Sequence, residues 1–508
     1  MIPEGKKRKL EELWARGLWS VDPHCPRLSA LMKEAVGVGL SPAQVKEFIY
    51  RKRKATGVTH WEQEEVDMRM LIALTLGELR VKRGTSLQDE VETIMTALTG
   101  LQKTGPQPRA WPSEPRADFS ESPPLTPRPA GLAMAFGQDD CGQLGLGIAE
   151  EEERVLPTPV VLPPGKTIVD VAAGGLHSAF LTAEGEVLLC GLNDEGELAR
   201  PNAGEEDCRT VASVSLGPAM VAAQVSCGDS FTAVLDTSGR VFWAGQLRDA
   251  GGVFHDIGPR LLEVPLWAPA TKIAAGAHHL AVLVGNSIAT CGSADRGQLG
   301  RVRERRALKR SSRELSLTPS PWTTASQFVD VCCGTYSTIG LTAADDIWGC
   351  GNNYLYQLGE GPRTIWMTRK LSALSQKNLV QVALGDDHAV ALSSSGAVFC
   401  WGDGYSGQAG TGVISRQPID SPRPVPGLPN NIRQVAAGPR QSFCWTSQGR
   451  GYAWGSGVSN QLCLGEEVQE VAAPVPMVGL PGPLQTISVG GQHTLVLVDP
   501  PPAPSTSK

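Results

Sequence analysis

The sequence is short of charge, of histidine and of paired cysteine. Charged residues make up 19% of the 508, and eight are histidine. Twelve cysteines are present, but no Cys-x-x-Cys pair. Several (Cys190, Cys227, Cys291, Cys350, Cys400) stand in apolar runs of strand character. This excludes zinc sites of the usual ligand spacing and a disulfide scaffold, and points to reduced packing residues in an intracellular protein. No apolar run approaches the ~20 residues of a membrane helix, so no membrane partner is expected. The charged N-terminus lacks an apolar core segment, so no secretory signal is expected either. With so few histidines and no ligand spacing, hydrolase and metalloenzyme readings have nothing to stand on, and no metal or cofactor is expected.

What is abundant is glycine, 57 residues of it, and it recurs in register. The stretch Gly137-Gln-Asp-Asp-Cys-Gly-Gln-Leu-Gly-Leu-Gly147 returns at Gly191, Gly292, Gly351, Gly402 and Gly455, with a degenerate copy at Gly245. Short apolar or aromatic strands such as Val241-Phe-Trp and Val398-Phe-Cys-Trp precede the copies. Between copies lies a second mark, an apolar run ending in Gly-x-x-His or a variant of it, as in Val171-Ala-Ala-Gly-Gly-Leu-His177 and Val382-Ala-Leu-Gly-Asp-Asp-His388. Its glycines, Gly174, Gly228, Gly276, Gly334, Gly385, Gly438 and Gly490, are 48 to 58 residues apart, the period of propeller blades rather than helical solenoids. Phe231 and Ser442 read as imperfect copies of the turn histidine. One such unit cannot cover its own apolar faces, so the units pack side by side, and a closed ring removes the exposed end. The last repeat, Leu484 to Val498, lacks its outer strands, while the unmatched strand Gly131 to Phe136 precedes the first motif. The reading is an all-β, seven-bladed propeller over 131–499, clasped shut by that N-terminal strand.

The rest of the chain is of different material. Residues 1–104 are rich in helix formers and read as a small helical region. Ser41-Pro-Ala-Gln44 starts one helix as N-cap, first-turn proline and capping-box glutamine. A 26-residue Pro-rich stretch, 105–130, reads as an extended linker, and 500–508 as a tail. Residues 1–104 carry 17 Lys and Arg against 14 acidic residues, so the remainder of a chain of net charge −6 is acidic by nine. A partner of the propeller is therefore expected to be basic. Gln44 to Lys54 is similar to the recognition helix of a homeodomain, although Arg51 and Phe48 stand where that family has asparagine and tryptophan. This makes Lys46, Arg51, Lys52, Arg53 and Lys54 candidate nucleic-acid contacts. The Arg- and Lys-rich loop from Arg301 to Arg313 is a further candidate for DNA phosphate or a nucleosome.

The propeller as a whole resembles the regulator of chromosome condensation family, chromatin-bound exchange factors for the GTPase Ran. The resemblance is carried by Gly490-Gly-Gln-His-Thr494, Gly228-Asp-Ser230 and above all Arg240-Val-Phe-Trp-Ala-Gly-Gln-Leu-Arg-Asp-Ala-Gly-Gly-Val253. There the turn motif is replaced by a segment that looks like the family's β-wedge. The resemblance implies nuclear, chromatin-associated exchange of guanine nucleotide by a monomer, without covalent chemistry. By position it implies Asp229, Arg248, Asp249, His278 and Asp387 as the exchange residues. Asp140, His177, Gln246, Gly251, Gly252, Val253, Arg301 and His493 become GTPase contacts. His177 and His493 also fit structural hydrogen bonding within their turns, and Asp140 a cap on its own. At two positions the chain departs from the pattern. His278 stands where the family has an aspartate and Asp387 where it has a histidine. Two alternatives remain open: a propeller scaffold that binds a GTPase or chromatin without exchange, and a DNA-binding protein acting through the N-terminal helices.

Overall fold

The computed structural model describes residues 128–147, 153–201, 204–217, 220–248, 254–303, 317–375, 377–465 and 468–500. Seven four-stranded antiparallel sheets follow one another as blades. Blade 1 starts with Ile168–Ala173, and blades 2 to 6 start with Ala222–Cys227, Ala270–Ala275, Phe328–Cys333, Leu379–Leu384 and Ile432–Ala437. Blade 7 takes two strands from the C-terminal end, Leu484–Val489 and His493–Val498, and two from the N-terminal side, Leu132–Gly137 and Arg154–Pro159. In this clasp Leu132 pairs with Val498 and Gly137 with His493, an unbroken register of six pairs. Only two short helices, Glu205–Cys208 and Ser372–Ser375, interrupt the strands among the described residues.

Burial within a blade follows from its place in the ring. The second strand lies between neighbouring blades and is buried along its whole length in all seven, as in Phe231–Asp236 and His388–Ser393. That is why it reads as a continuous apolar run rather than an alternating one. The fourth strand is outermost, half-exposed and tolerant of proline, as in Ile419–Pro424, because an edge needs no N–H donor on its open side. Successive blades share apolar clusters. One such cluster packs Phe328, Ile339 and Leu374 with Trp401.

The two repeated marks lie at the same end of each blade. Seven motif glycines (Gly137, Gly191, Gly245, Gly292, Gly351, Gly402 and Gly455) lie in the third strand with φ between 96° and 115°, a region that a side chain would strain. Five of them end it, the strand of Gly455 runs one residue further, and in blade 2 it continues past Gly245 to Arg248. The glycines of the other mark form the hub. A Cβ on Gly174 would stand 2.7 Å from the Gly228 carbonyl oxygen, and one on Gly276 2.6 Å from that of Gly334. The hub closes where the Gly491 N–H donates to the Gly174 carbonyl at 3.0 Å.

Candidate functional site at one mouth of the hub

The hub turns display their side chains at the mouth of the ring. The second residue after each hub glycine (Leu176, Ser230, His278, Tyr336, Asp387, Arg440, Gln492) lies beside the axis, and the third turns inward as the first residue of the buried second strand. His177, His279, His388 and His493 occupy this third position and are fully buried. The Nε2 of each meets a hydroxyl of the next blade: Thr232 at 3.0 Å, Thr338 at 2.9 Å, Ser442 at 2.9 Å and Ser178 at 2.8 Å. Each hydroxyl spends its own proton on a carbonyl of the glycine motif, Glu197, Gln298, Gln408 or Gln143. It can therefore only accept from the imidazole, which fixes the Nε2–H tautomer. Burial pushes these histidines down, to about 4 for His177 and His388 and about 3 for His279 and His493, so all four are neutral links between blades.

This corrects two expectations. His177 and His493 do not face a partner, because their rings are enclosed between blades. Ser442 is the hydroxyl partner in blade 6, where the turn position itself belongs to Gln441. Blade 2 explains why Phe231 is allowed: it is followed in blade 3 by Leu280, an apolar residue in the place of the hydroxyl, and both are fully buried. The motif carbonyl that a hydroxyl would serve is missing from blade 2, where the hairpin replaces the motif.

The motif has its own chemistry. The glutamine of Gly-Gln-Leu folds back so that its Oε1 accepts a backbone N–H two residues earlier, at 2.8 Å for Gln143 and for Gln298. An Asx side chain caps the same turn: Asp139 Oδ1 accepts from Leu144 N–H at 2.8 Å, as Asn353 does from Leu358 at 2.7 Å. The cap is thus Asp139, and Asp140, expected in that role, is exposed. In blade 1 the glutamine is replaced by Glu197, still accepting from Glu195 N–H at 2.9 Å, and burial pushes its carboxyl up to about 8.

Three of the expected exchange residues come together at the mouth. Asp229 and His278, from adjacent hub turns, approach to 3.8 Å between Oδ2 and Nε2. The Asp229 side chain is 53% exposed and that of His278 13%. Arg248, at the end of strand Val241–Arg248, acts electrostatically on both. Burial holds His278 down at about 4, helped by Arg248 and opposed by Asp295, so its imidazole is neutral at physiological pH. Although Asp229 is open to water, protein atoms crowd it and push its carboxyl up to about 6 against the pull of Arg248. Asp387 is two blades away. It accepts from Gln357 at 2.9 Å and Asn352 at 3.1 Å, yet burial, then Asp386 and Asp403, push it up to about 6. Between the two interchanged positions stands Tyr336, with Arg296 5.7 Å over its ring and its hydroxyl pushed upward by burial, then by Asp229, Asp386 and Asp295. Tyr336, Asp295 and Arg296 were not singled out from sequence; counting two residues past each hub glycine would have found the tyrosine.

Other expected contacts fall elsewhere. Gln246 is buried and donates to Glu195 at 2.8 Å, so its amide is an internal tie. Arg301 is half-buried, its guanidinium donating to the Thr290 carbonyl at 2.8 Å and the Thr318 carbonyl at 2.9 Å. It clamps an outer loop, as Arg200 does at the same motif position by donating to the Leu189 carbonyl at 3.1 Å. Arg248 leads into the long hairpin, whose return strand is Phe254–Val264. Asp249, Gly251, Gly252 and Val253, between Arg248 and that strand in sequence, lie outside the described residues. So do Lys46, Arg51, Lys52, Arg53 and Lys54, and most of the basic loop after Arg301.

Residues 132–496 match the family model of the RCC1-like domain. The chain is 35% identical over 388 residues to the regulator of chromosome condensation of Xenopus laevis, a match covering 72% of this chain and 90% of that protein. To its counterpart in Homo sapiens it is 34% identical over 389 residues, with the same coverage of 72% and 90%. In three dimensions it is similar to the crystal structure of Prp20p from Saccharomyces cerevisiae, with a TM-score of 0.67 and 22% identity, covering 74% of this chain and 93% of that one. At that identity the likeness speaks for the fold.

Proposed function

This chain belongs to the RCC1-like domain family, and from that premise we propose that it is a guanine-nucleotide exchange factor for the small GTPase Ran, working at chromatin in the nucleus without covalent chemistry of its own. One observation carries the reading. The single blade whose glycine motif gives way to a long hairpin is the blade that supplies Asp229 and Arg248, and His278 joins them from the next. Support for the partners comes from relatives named for chromosome condensation and from Prp20p, described together with its binding to Gsp1p and histones.

The mechanism is coupling between two ligands. A propeller that binds the empty GTPase more tightly than the loaded one weakens nucleotide binding by the same factor, and a thousandfold effect takes ~4 kcal/mol. At the other end of the blade, the turn that leads into strand Val241–Arg248 is fixed by Asp236, which accepts from Ser238 N–H at 2.9 Å, Arg240 N–H at 2.8 Å and Arg240 Nε at 2.8 Å. Around the mouth, Asp229, Asp295 and Asp386 offer negative charge to a cation that otherwise holds phosphate. His278 contributes a neutral imidazole, and Asp387 supplies the carboxyl two blades on.

The test is release of a fluorescent GDP analogue from Ran by catalytic amounts of the full chain, beside His278→Asp. Fast release by the unmodified chain is expected. No acceleration, or acceleration only by the variant, sinks the assignment. The neutral His278, in a place where the family pattern has a carboxylate, favours one second reading: a scaffold that binds the GTPase without releasing nucleotide. That reading predicts a stable complex and no catalysis.

A further inference from the structure

The six glycine motifs that keep their turn place one side chain each at the equivalent point of the same face, third after the motif glycine. In blades 7, 1 and 3 these are the charged Asp140, Asp194 and Asp295, while in blade 2, where the strand runs on into the hairpin, the third residue is Arg248 at the strand's end. In blades 4, 5 and 6 they are Tyr354, Tyr405 and Val458, which are 57%, 56% and 60% exposed. Consecutive blades are neighbours, so the ring of equivalent positions divides into a charged arc and an arc of three successive blades that present exposed aromatic or apolar side chains. The apolar arc is widened at Tyr405, where the Ser415 N–H bonds to the Gly404 carbonyl at 3.2 Å and brings the exposed Val413 and Ile414 beside the same turn.

Nothing about folding calls for aromatic residues here, since aspartate serves the same point in other blades. The tyrosines stand on stiff turns: the Tyr405 N–H donates to Asp403 Oδ1 at 3.1 Å, and Asn353 caps the turn that carries Tyr354. Exposed aromatics held in place by their backbone lose little entropy on binding and are the usual anchors of an interface. Exposed large apolar side chains gathered on one face mark a contact surface. On its axial side the arc is bordered in blade 5, beside Tyr405, by the carboxylates of Asp386, Asp387 and Asp403, and in blade 6 by Arg440, which acts on Asp387, so the acidic middle of the arc fits an apolar ridge that carries basic side chains.

We infer that the arc of Tyr354, Tyr405 and Val458 is a docking foot for the same GTPase, which holds it on the propeller while the charged arc and hairpin act on its nucleotide. The inference rests on the exchange reading and deepens it by assigning grip and displacement to different halves of one face. The grip contributes equally to loaded and empty GTPase, so its loss raises KM and leaves kcat alone.

The experiment uses the full chain and measures two quantities: GDP release at varied Ran concentration, and equilibrium binding to nucleotide-free Ran. The proteins are the unmodified chain, Tyr354→Ala/Tyr405→Ala and, as a displacement control, Asp229→Asn. The double tyrosine variant is expected to raise KM and weaken binding by ~10- to 100-fold with kcat within about twofold, while Asp229→Asn lowers kcat. Thermal unfolding checks that the exposed substitutions leave the fold intact, and Tyr354→Phe/Tyr405→Phe should restore most of the affinity. If the unmodified chain is active and the double variant keeps its KM and affinity, the arc is no docking foot and exchange stands. A chain that binds Ran without releasing GDP decides the arc by affinity alone. One that neither binds nor releases overturns the function and the arc together.

Discussion

Replacing Glu197 by glutamine should stabilise the propeller at neutral pH. Glu197 sits at the glutamine position of the blade 1 motif and is 1% exposed. Folding disfavours its charged form: burial, with Asp194 and Glu195 adding repulsion, raises its carboxyl from 4.5 to about 8. For a raised acid the penalty is small at or below its unfolded value and grows as pH rises toward the folded one. At pH 7 this is two and a half pH units above 4.5, so at ~1.36 kcal/mol per unit the native glutamate costs ~3 kcal/mol. The figure barely changes if the folded value is a unit lower. Glutamine removes the titration and keeps the fold-back bond to Glu195 N–H. Its amide can also donate to Asp194, as Gln298 Nε2 donates to Asp295 at 3.0 Å in blade 3. Urea unfolding of Glu197→Gln beside the unmodified chain should show a gain of ~2–3 kcal/mol at pH 7 that shrinks to ~0.5 kcal/mol or less at pH 4.5. No gain at pH 7, or a gain equal at both pH values, would refute the argument that a buried carboxyl is held protonated there.

Two further outcomes are expected of the hub. His279 is lowered from 6.5 to about 3, so the stability tied to its neutral form is complete above 6.5 and is lost as pH falls. At pH 5 the loss is ~2 kcal/mol. His279→Gln, which puts into blade 3 the residue type that blade 6 carries as Gln441, should cost stability at pH 7.5 but gain ~2 kcal/mol on the unmodified chain between pH 7.5 and pH 5; parallel stability curves would exclude a buried neutral imidazole. Gly276→Ala would set a Cβ 2.6 Å from the Gly334 carbonyl oxygen and should cost ~2–3 kcal/mol. An unchanged melting temperature would show that the hub has slack.

The sequence by itself determined the number of blades, the spacing of their turns and the clasp, because the glycines are constraints on backbone that no neighbour can lift. A positive φ at Gly137 or a carbonyl 2.7 Å from where a Cβ on Gly174 would lie admits one residue type wherever the fold recurs, so spacing alone counts the repeats. Of Asp229, Arg248 and His278 at the mouth, only Arg248 stands where this chain departs from its own motif; Asp229 and His278 occupy hub positions that vary from blade to blade, and it was the family resemblance that pointed to them. Tertiary structure decided the direction in which each side chain turns. His177 and His278 occupy neighbouring positions of equivalent turns, and a single step along the strand sends one between blades and the other to the mouth. Asp139 and Asp140 exchange the roles of cap and exposed residue for the same reason. The charged and apolar arcs, too, exist only in the closed ring, where residues some fifty apart in sequence become neighbours because each blade repeats the one before it.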